Sequence, residues 1–266
     1  MSSSWEALQV NLAYNALPSH LANLTPGVGY AVAEAALEHG CEVTISSSNH
    51  TRIESAINNL RIAYPTYHNK IHGYPCDVST RATIEANLLS LLQQTSRTGP
   101  LDHIVWTAGD PVPPTPITEA TLEAIEQAMT VRYIAPILLA KHAMKYLRNS
   151  FESSITLTTG IIIERPIPNW SVIAGGRSAV VGLARNLALD LAPVRVNAVA
   201  LRAVDTGTWA TLPEEAREKM KKGLVQRGTT GRIGRAEDVA EAYVYLMKDG
   251  NITGAVVGTN GGALLK

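Results

Sequence analysis

A chain of 266 residues, 45% hydrophobic and 17% charged, is long enough to bury one sizeable core. Its 23 basic residues balance 23 acidic ones to a formal net charge of +0, which leaves no electrostatic footprint for a nucleic acid or an anionic membrane surface and points to a small molecule as partner. No apolar run approaches a membrane span, and the start, Met1-Ser2-Ser3-Ser4-Trp5-Glu6, lacks a charged leader before an apolar core, so the expectation is a soluble cytoplasmic protein. Cys41 and Cys76 lie far apart beside strand-like segments, which favours buried reduced thiols over a disulfide or a metal site. No repeat, low-complexity tract or linker divides the chain, so residues 1–266 read as a single domain.

In chain order, residues 1–17 are weakly patterned, and Tyr14-Asn15-Ala16-Leu17-Pro18 argues for an irregular N-terminal segment. Gly27-Val28-Gly29 then opens a helix over Tyr30–His39, where backbone amides and the helix dipole suit a pyrophosphate. A strand at Cys41–Ser46 runs into Ser47-Ser48-Asn49-His50-Thr51-Arg52. An NAD site carries an acidic residue here, about 20 residues past the glycine turn, to take the ribose 2′-hydroxyl. Hydroxyls, an amide and an arginine suit a 2′-phosphate instead, so NADP(H) is the expected cofactor, with Ser47, Ser48 and Asn49 as its contacts. The competing reading is that these residues only form the loop and cap the helix beginning near Arg52.

Cys76-Asp77-Val78 precedes a helix at 80–95, where Asp77 by itself reads as a turn or N-cap residue. A strand at His103–Thr107 ends in Ala108-Gly109, thin enough to lie beside a cofactor, and Asp110 follows at the mouth where ligands collect beyond parallel strands. Two readings of Asp110 stand, a catalytic carboxylate and a loop cap. Residues 119–147 form a long helical region carrying Arg132 and Tyr133. The strand Ser154–Thr158, a turn at Gly160, a helix from about Gly176 to Leu191 and the strand Val194–Val199 make one strand-helix-strand unit. The loop 161–170 between them is apolar at both ends, which suits a pocket wall. A Lys-rich helix within 207–228 shows charges that read most simply as a solvated face.

Gly-Leu-Ala-Arg-Asn-Leu-Ala-Leu-Asp-Leu-Ala-Pro-Val-Arg-Val-Asn-Ala-Val at 182–199 resembles the fifth helix and sixth strand of the short-chain dehydrogenase/reductases, and the likeness extends over nearly the whole chain. The resemblance implies an α/β fold, a Rossmann-like doubly wound parallel sheet of seven strands flanked by helices, with a substrate lid at about 207–228 and a homo-oligomer, dimer or tetramer, built through the apolar helix 179–191. It also implies roles. Asn23, Gly27 and Gly29 fall on the phosphate-binding turn, where Asn23 replaces a glycine and Pro26 removes an amide donor. Asp77 and Val78 fall on the adenine-contacting pair, Ala108 and Gly109 on the Ala-Gly beside the cofactor, and Thr206 where the nicotinamide amide and phosphates are held.

The family's carbonyl chemistry uses a Ser, a Tyr thirteen positions on, a Lys one helical turn later and an Asn in the fourth helix. Those positions hold Gly160, Ile173, Arg177 and Arg132 here, so all four are replaced and no side chain in the first two can donate a proton. Arg177 inherits the ribose-holding task of the Lys. Thr130-Val131-Arg132-Tyr133, Ala140-Lys141-His142-Ala143 and Pro166-Ile167-Pro168-Asn169-Trp170 look like the fungal indole-alkaloid branch of the family, the reductase/Diels–Alderases of malbrancheamide and paraherquamide type and the citrinadin-type Pictet–Spenglerase. Where those reductase/Diels–Alderases carry a catalytic Asp, this chain has Ile167.

This replacement set suits a cation, because an iminium is already activated toward a nucleophile or a hydride and aromatic faces such as Trp106, Tyr133 and Trp170 can hold it. The expected activity is a stereoselective Pictet–Spengler-type closure of a tryptophan-derived amine with an aldehyde, NADP(H) serving as a non-redox wall of the pocket. Arg132 orients the substrate, Asp110 or Glu164 carries protons, and Trp170 is the platform. An iminium reductase/Diels–Alderase and a non-catalytic NADP(H)-binding protein are the alternatives. For Arg132 the other reading is a structural pair with a carboxylate, and for Trp106 and Trp170 it is core packing.

Overall fold

A computed structural model of the protein describes residues 9–13, 27–109, 112–206 and 213–266. In chain order the elements are β1 (Gln9–Ala13), α1 (Val28–Glu38), β2 (Glu42–Ser47), α2 (His50–Ala63), β3 (Ile71–Pro75), α3 (Ile84–Thr95), β4 (His103–Trp106), α4 (Leu122–Met129), α5 (Ala135–Ala143), β5 (Ser154–Gly160), α6 (Ser171–Asp190), β6 (Arg195–Leu201), β7 (Val204–Asp205), α7 (Glu214–Gln226), β8 (Gly234–Arg235), α8 (Ala236–Lys248) and β9 (Val256–Thr259). Seven strands form one sheet in the order β3-β2-β1-β4-β5-β6-β9, every pair parallel, and β7 pairs with β8 in a separate two-stranded sheet. This is the doubly wound α/β architecture that the alternation of strands and helices implies.

The N-terminal expectation requires a correction. Gln9–Ala13 is not irregular but forms the sheet's central strand, with Val10 opposite Val43 of β2 on one side and His103 of β4 on the other. Five residues carry too little periodic pattern to stand out in a sequence. Ladders on both sides supply the partners that a short strand lacks by itself.

Alternation along each strand divides the core in two. Val105 and Val199 face the layer of α1 and α8, where Val32, Leu37, Tyr243 and Leu246 are buried; Ile104, Trp106, Ile155, Leu157, Val196 and Ala198 face α3, α5 and α6, where Leu88, Leu92, Leu139 and Val180 are buried. Alanines at 31, 33, 35 and 36 keep α1 thin enough to lie between the sheet and α8. Cys41 and Cys76 are buried free thiols, and burial pushes them up to about 11 and about 12. Among the described residues no helix is long and apolar enough to cross a membrane, and no cluster of three or more His, Cys, Asp or Glu is placed to hold a metal.

Two helices differ from expectation. The region 119–147 is not one regular helix: a π turn at Thr130–Ile134, in which the Ala135 amide reaches back to the Thr130 carbonyl, separates α4 from α5. Pro136 explains the break, since its ring lacks an N–H and collides with the carbonyl four residues earlier, that of Arg132. Helix α6 begins at Ser171, five residues before the expected start, and so runs through Gly175-Gly176. A Cβ on Gly176 would lie 2.7 Å from the Ala128 carbonyl oxygen, so close approach of α6 to α4 offsets the low helix propensity of glycine there.

These surroundings predict opposite outcomes for two glycines of the same helix. Gly176→Ala is expected to destabilise by ~1–3 kcal/mol, because backbone must move. Gly182→Ala meets nothing within 4 Å and is expected to stabilise by ~0.5–1 kcal/mol. Urea unfolding of both variants checks the pair.

Candidate active site

The carboxyl ends of the parallel strands point one way, and the expected site residues collect there. An open cleft beyond β2, β3 and β4 is lined by Ser47, Ser48, Asp77, Val78, Trp106 and Ala108 among others. Five expected cofactor contacts are thereby brought together from three separate strand ends. The end of β2 offers hydroxyls and no carboxylate; Asp77 follows the end of β3. Its carboxylate is engaged, accepting from the Ser79 amide at 2.9 Å and the Ser79 hydroxyl at 2.7 Å, while its carbonyl accepts from the Asn87 side chain at 2.8 Å. Asp77 therefore builds the turn as well as facing the cleft.

Ser47 is buried and its hydroxyl accepts from the Asn49 amide at 3.3 Å; Ser48 is exposed at the rim. Asn49 is the N-cap of α2, its side-chain oxygen accepting from the Arg52 amide at 3.0 Å. The cap thus takes the acceptor of Asn49, leaving its amide nitrogen as the group that can face a ligand. Gly27 is the N-cap of α1 and its carbonyl accepts from Tyr30 and Ala31, so the helix N-terminus begins at the place required for a pyrophosphate. Asn23 lies outside the described residues, as do Asp110 and Trp209. The residues present fit a dinucleotide: a hydroxyl-lined cleft at one end, a helix N-terminus beside it and Gly109 bare of a side chain beyond.

Arg132 projects from the π turn onto the backbone of Gly109, so closely that a Cβ there would overlap the guanidinium, and its Nη1 donates to the Thr158 carbonyl at 3.3 Å. It therefore lies in the crevice between the ends of β4 and β5. Trp106 supports the same turn from below, its indole N–H donating to the Val131 carbonyl at 3.0 Å. With 2% of its surface exposed, Trp106 is a core residue that only edges the cleft, which favours the core-packing reading over a cation platform. The reason is local: the π turn frees a carbonyl inside the core, and an indole N–H satisfies it.

Gly160 and Ile173 stand where the family keeps a hydroxyl and a phenol. Ile173 is buried, and a Cβ on Gly160 would come within 3.2 Å of Arg177 Nη1. Arg177 thus reaches the end of β5 through space that a serine side chain would crowd. Glu164 is exposed after the short turn Ile161–Ile163, and Trp170 is half-buried at the start of α6. The loop carrying them is tied to the segment between β4 and α4 by the Thr115 amide, which donates to the Asn169 carbonyl at 2.9 Å, with Asn169 at φ 65°. Thr206 follows β7, and its neighbour Asp205 pairs with Lys221 of α7 at 3.2 Å. The charges Glu214, Glu215 and Lys219 of α7 are exposed, as a solvated face requires.

A buried polar pair escaped sequence reading. Thr158 Oγ1 lies 2.7 Å from the Tyr243 hydroxyl and donates to the Trp106 carbonyl at 2.6 Å, directly beneath Arg132. Burial pushes the Tyr243 phenol above its ordinary range. Thr158 was visible only as one member of an alternating strand, and nothing local connects it to a tyrosine 85 residues away.

Residues 16–266 match the SDR-like Rossmann domain, and the chain belongs to the short-chain dehydrogenase/reductase family. Within it, the chain is 42% identical over 241 residues to the short-chain dehydrogenase/reductase fsr5 of Gibberella fujikuroi, covering 90% of this chain and 91% of that one. To malC of Malbranchea aurantiaca it is 40% identical over 244 residues, 91% and 92% of the two chains. The solved MalC reductase/Diels-Alderase superposes with a TM-score of 0.88 over 98% of each chain, at 36% identity within the superposition. The protein is thus a fungal-type biosynthetic enzyme of the short-chain dehydrogenase/reductase kind, similar to MalC.

The seat of Arg132 on bare backbone is testable. Gly109→Ala is expected to move the guanidinium off the Thr158 carbonyl while changing stability by less than ~1 kcal/mol, since only a flexible side-chain end must yield. A crystal structure of the variant with an unmoved Arg132 would show this account of the crevice to be wrong.

Proposed function

We propose that the protein is an NADP(H)-binding, reductase-derived cyclase that closes a ring between a tryptophan-derived amine and an aldehyde, a Pictet–Spengler-type reaction in fungal indole alkaloid biosynthesis. One observation carries the reading: the position of the family's proton donor holds a buried Ile173, the position of the serine that steadies the substrate oxygen holds Gly160, and Arg177 takes the adjoining space. A carbonyl cannot be reduced efficiently without a proton donor at its oxygen, whereas an iminium needs none.

The reaction is redox-neutral. Amine and aldehyde condense with loss of water to an iminium, the indole ring attacks its carbon to form a carbon–carbon bond, and loss of the ring proton restores aromaticity. Arg132, always charged and seated on Gly109 with a bond to the Thr158 carbonyl, is the group proposed to orient an amide or carbinolamine oxygen. Asp110 and Glu164 are the groups proposed to carry the protons, and Trp170 to hold the indole. NADP(H), when bound, would supply an aromatic wall. Arg177 would hold its ribose and Thr206 its amide end, while Ser47, Ser48 and Asn49 would hold the 2′-phosphate.

A second reading has its own support. The 40% identity to malC, whose solved form is a reductase/Diels-Alderase, favours reduction of an iminium by NADPH. Ile167, where the related enzymes carry Asp, weighs toward the cyclase.

Two measurements test the proposal. Ser48→Asp is expected to weaken NADP(H) by ~1–3 kcal/mol in calorimetry, through lost donors and added like charge, and not to weaken NAD(H). In assays of amine and aldehyde, product should form with a stereochemical bias and without NADPH consumption. Arg132→Ala should cost ~2–4 kcal/mol of transition-state stabilisation while leaving NADP(H) affinity nearly unchanged. Consumption of one NADPH per product would replace the cyclase reading with the reductase one.

A further inference from the structure

Beyond the ends of β5, β6 and β9, on the side of the sheet away from the dinucleotide cleft, three arginines converge. Arg202 directly follows Leu201, the residue paired with Gly160 across the β5–β6 ladder. Its Nη2 donates to the Leu224 carbonyl of α7, and its Nη1 packs on Gly228, where a Cβ would lie 2.7 Å away. Arg165, in the loop after Gly160, donates through Nη1 to the Ala263 carbonyl beyond β9. Arg227 caps the C-terminus of α7 with its backbone, and its exposed side chain is near enough to Arg202 to act on its charge, as Arg165 is. Lys266 adds a fourth cation, its Nζ donating to the Gly228 carbonyl at 3.1 Å.

Like charges in this arrangement repel. Desolvation, then Arg227 and Arg165, depress the proton affinity of the Arg202 guanidinium. Among the described residues no carboxylate lies within ion-pair distance of Arg165, Arg202 or Arg227, and the only side-chain hydrogen bonds of the three are those two to carbonyls. Elsewhere in the same protein arginines are matched: Arg148 to Asp102, Arg217 to Glu214, Arg232 to Asp238. Holding partly buried cations together without an anion is unfavourable, and an incoming anion removes that cost.

We propose that Arg165, Arg202 and Arg227 form a subsite for a carboxylate of the substrate, placed beside the candidate active site; identifying that carboxylate as the one on a tryptophan-type amine rests on the cyclase reading. A planar guanidinium fork matches a planar carboxylate with two parallel N–H donors, and two forks held in place by carbonyls are preorganised for it. The position excludes the pyrophosphate as the natural occupant. The helix N-terminus that suits that group follows β1, and β4 and β5 stand between β1 and β6, a separation of roughly 14 Å at ~4.8 Å per strand. Leu201, which precedes Arg202, pairs with Gly160, and Arg177 reaches Gly160, so the subsite would adjoin the end of β5 on the side toward Arg132.

Calorimetry on the NADP(H)-loaded protein with L-tryptophan and L-tryptophan amide as probes tests the subsite. The acid is expected to bind at least about tenfold tighter than the amide, the worth of charge-assisted hydrogen bonds. Arg202→Gln, which can still donate to the Leu224 carbonyl, and Arg227→Gln, which alters only an exposed side chain, are each expected to reduce that preference severalfold without changing NADPH affinity. Equal affinity for acid and amide, or no binding of either, overturns the proposal. So does a loss of NADPH affinity in Arg202→Gln equal to the loss for the acid, since the anion would then belong to the cofactor. A carboxylate preference that both substitutions erase, in a protein that forms no cyclised product, leaves the subsite standing and removes the cyclase. Cyclisation with an unchanged acid preference in both variants does the reverse.

Discussion

The parallel pairing of β5 with β6 is the constraint on which the rest of the site depends. Seven consecutive rungs, from Ser154 opposite Arg195 to Gly160 opposite Leu201, set which residues arrive together at the carboxyl edge. A slip of one residue would turn every side chain to the other face and exchange the two halves of the core. Arg195 pins the foot of the pair. Buried at 3% exposure, its guanidinium donates to the carbonyls of Phe151, Glu152, Leu246, Met247 and Ile252. Two of those belong to the last turn of α8, where a cation meets the negative end of the helix dipole. One side chain thus joins the start of β6 to the loop before β5, the end of α8 and the approach to β9.

At the opposite end of the same ladder the chemistry has been rewritten as a set. Removing the serine side chain at 160 opens the space into which Arg177 reaches, and the longer arginine in turn needs that space. Ile173, one turn earlier on α6, completes the change by making the neighbouring surface apolar. The π turn belongs to the same set. By widening the helix at 130–134 it carries Arg132 onto Gly109, and Trp106 satisfies the carbonyl that the widening releases. The Thr158–Tyr243 pair holds the floor beneath it. A site assembled in this way works by orientation and fixed charge more than by exchanging a proton with a carbonyl oxygen.

Positive charge is distributed along the whole carboxyl edge, with Arg132 between β4 and β5, Arg177 at the end of β5 and Arg165, Arg202 and Arg227 beyond β6, although the chain as a whole is neutral. Local sign, not net charge, is what a bound ligand meets. Asp102 with Arg148 at the foot of the sheet and Asp238 with Arg232 at the start of α8 form ion pairs away from that edge.

Much of this was legible in the order of residues. Alternating apolar strands and helix-period segments establish a doubly wound sheet because side-chain direction repeats every two residues in a strand and about every 3.6 in a helix. The replacements at 132, 160, 173 and 177 were equally plain, since identity at a position needs no coordinates. Ser47, Ser48, Asp77, Val78 and Ala108 line one cleft because strand ends in a parallel sheet converge. What local sequence could not decide were the features made by partners distant in the chain. A five-residue β1 became a central strand through ladders on both flanks. The Gly175-Gly176 pair stayed helical because α4 approaches it, Trp106 gave its indole N–H to a carbonyl on the π turn, and Thr158 found Tyr243. The three arginines beyond β6 came together only when the ends of β5, α7 and β9 were brought to one edge. In each case the deciding energy is a long-range contact, a hydrogen bond satisfied in the core or a charge placed beside another, and such terms have no counterpart in the periodicity of a single segment.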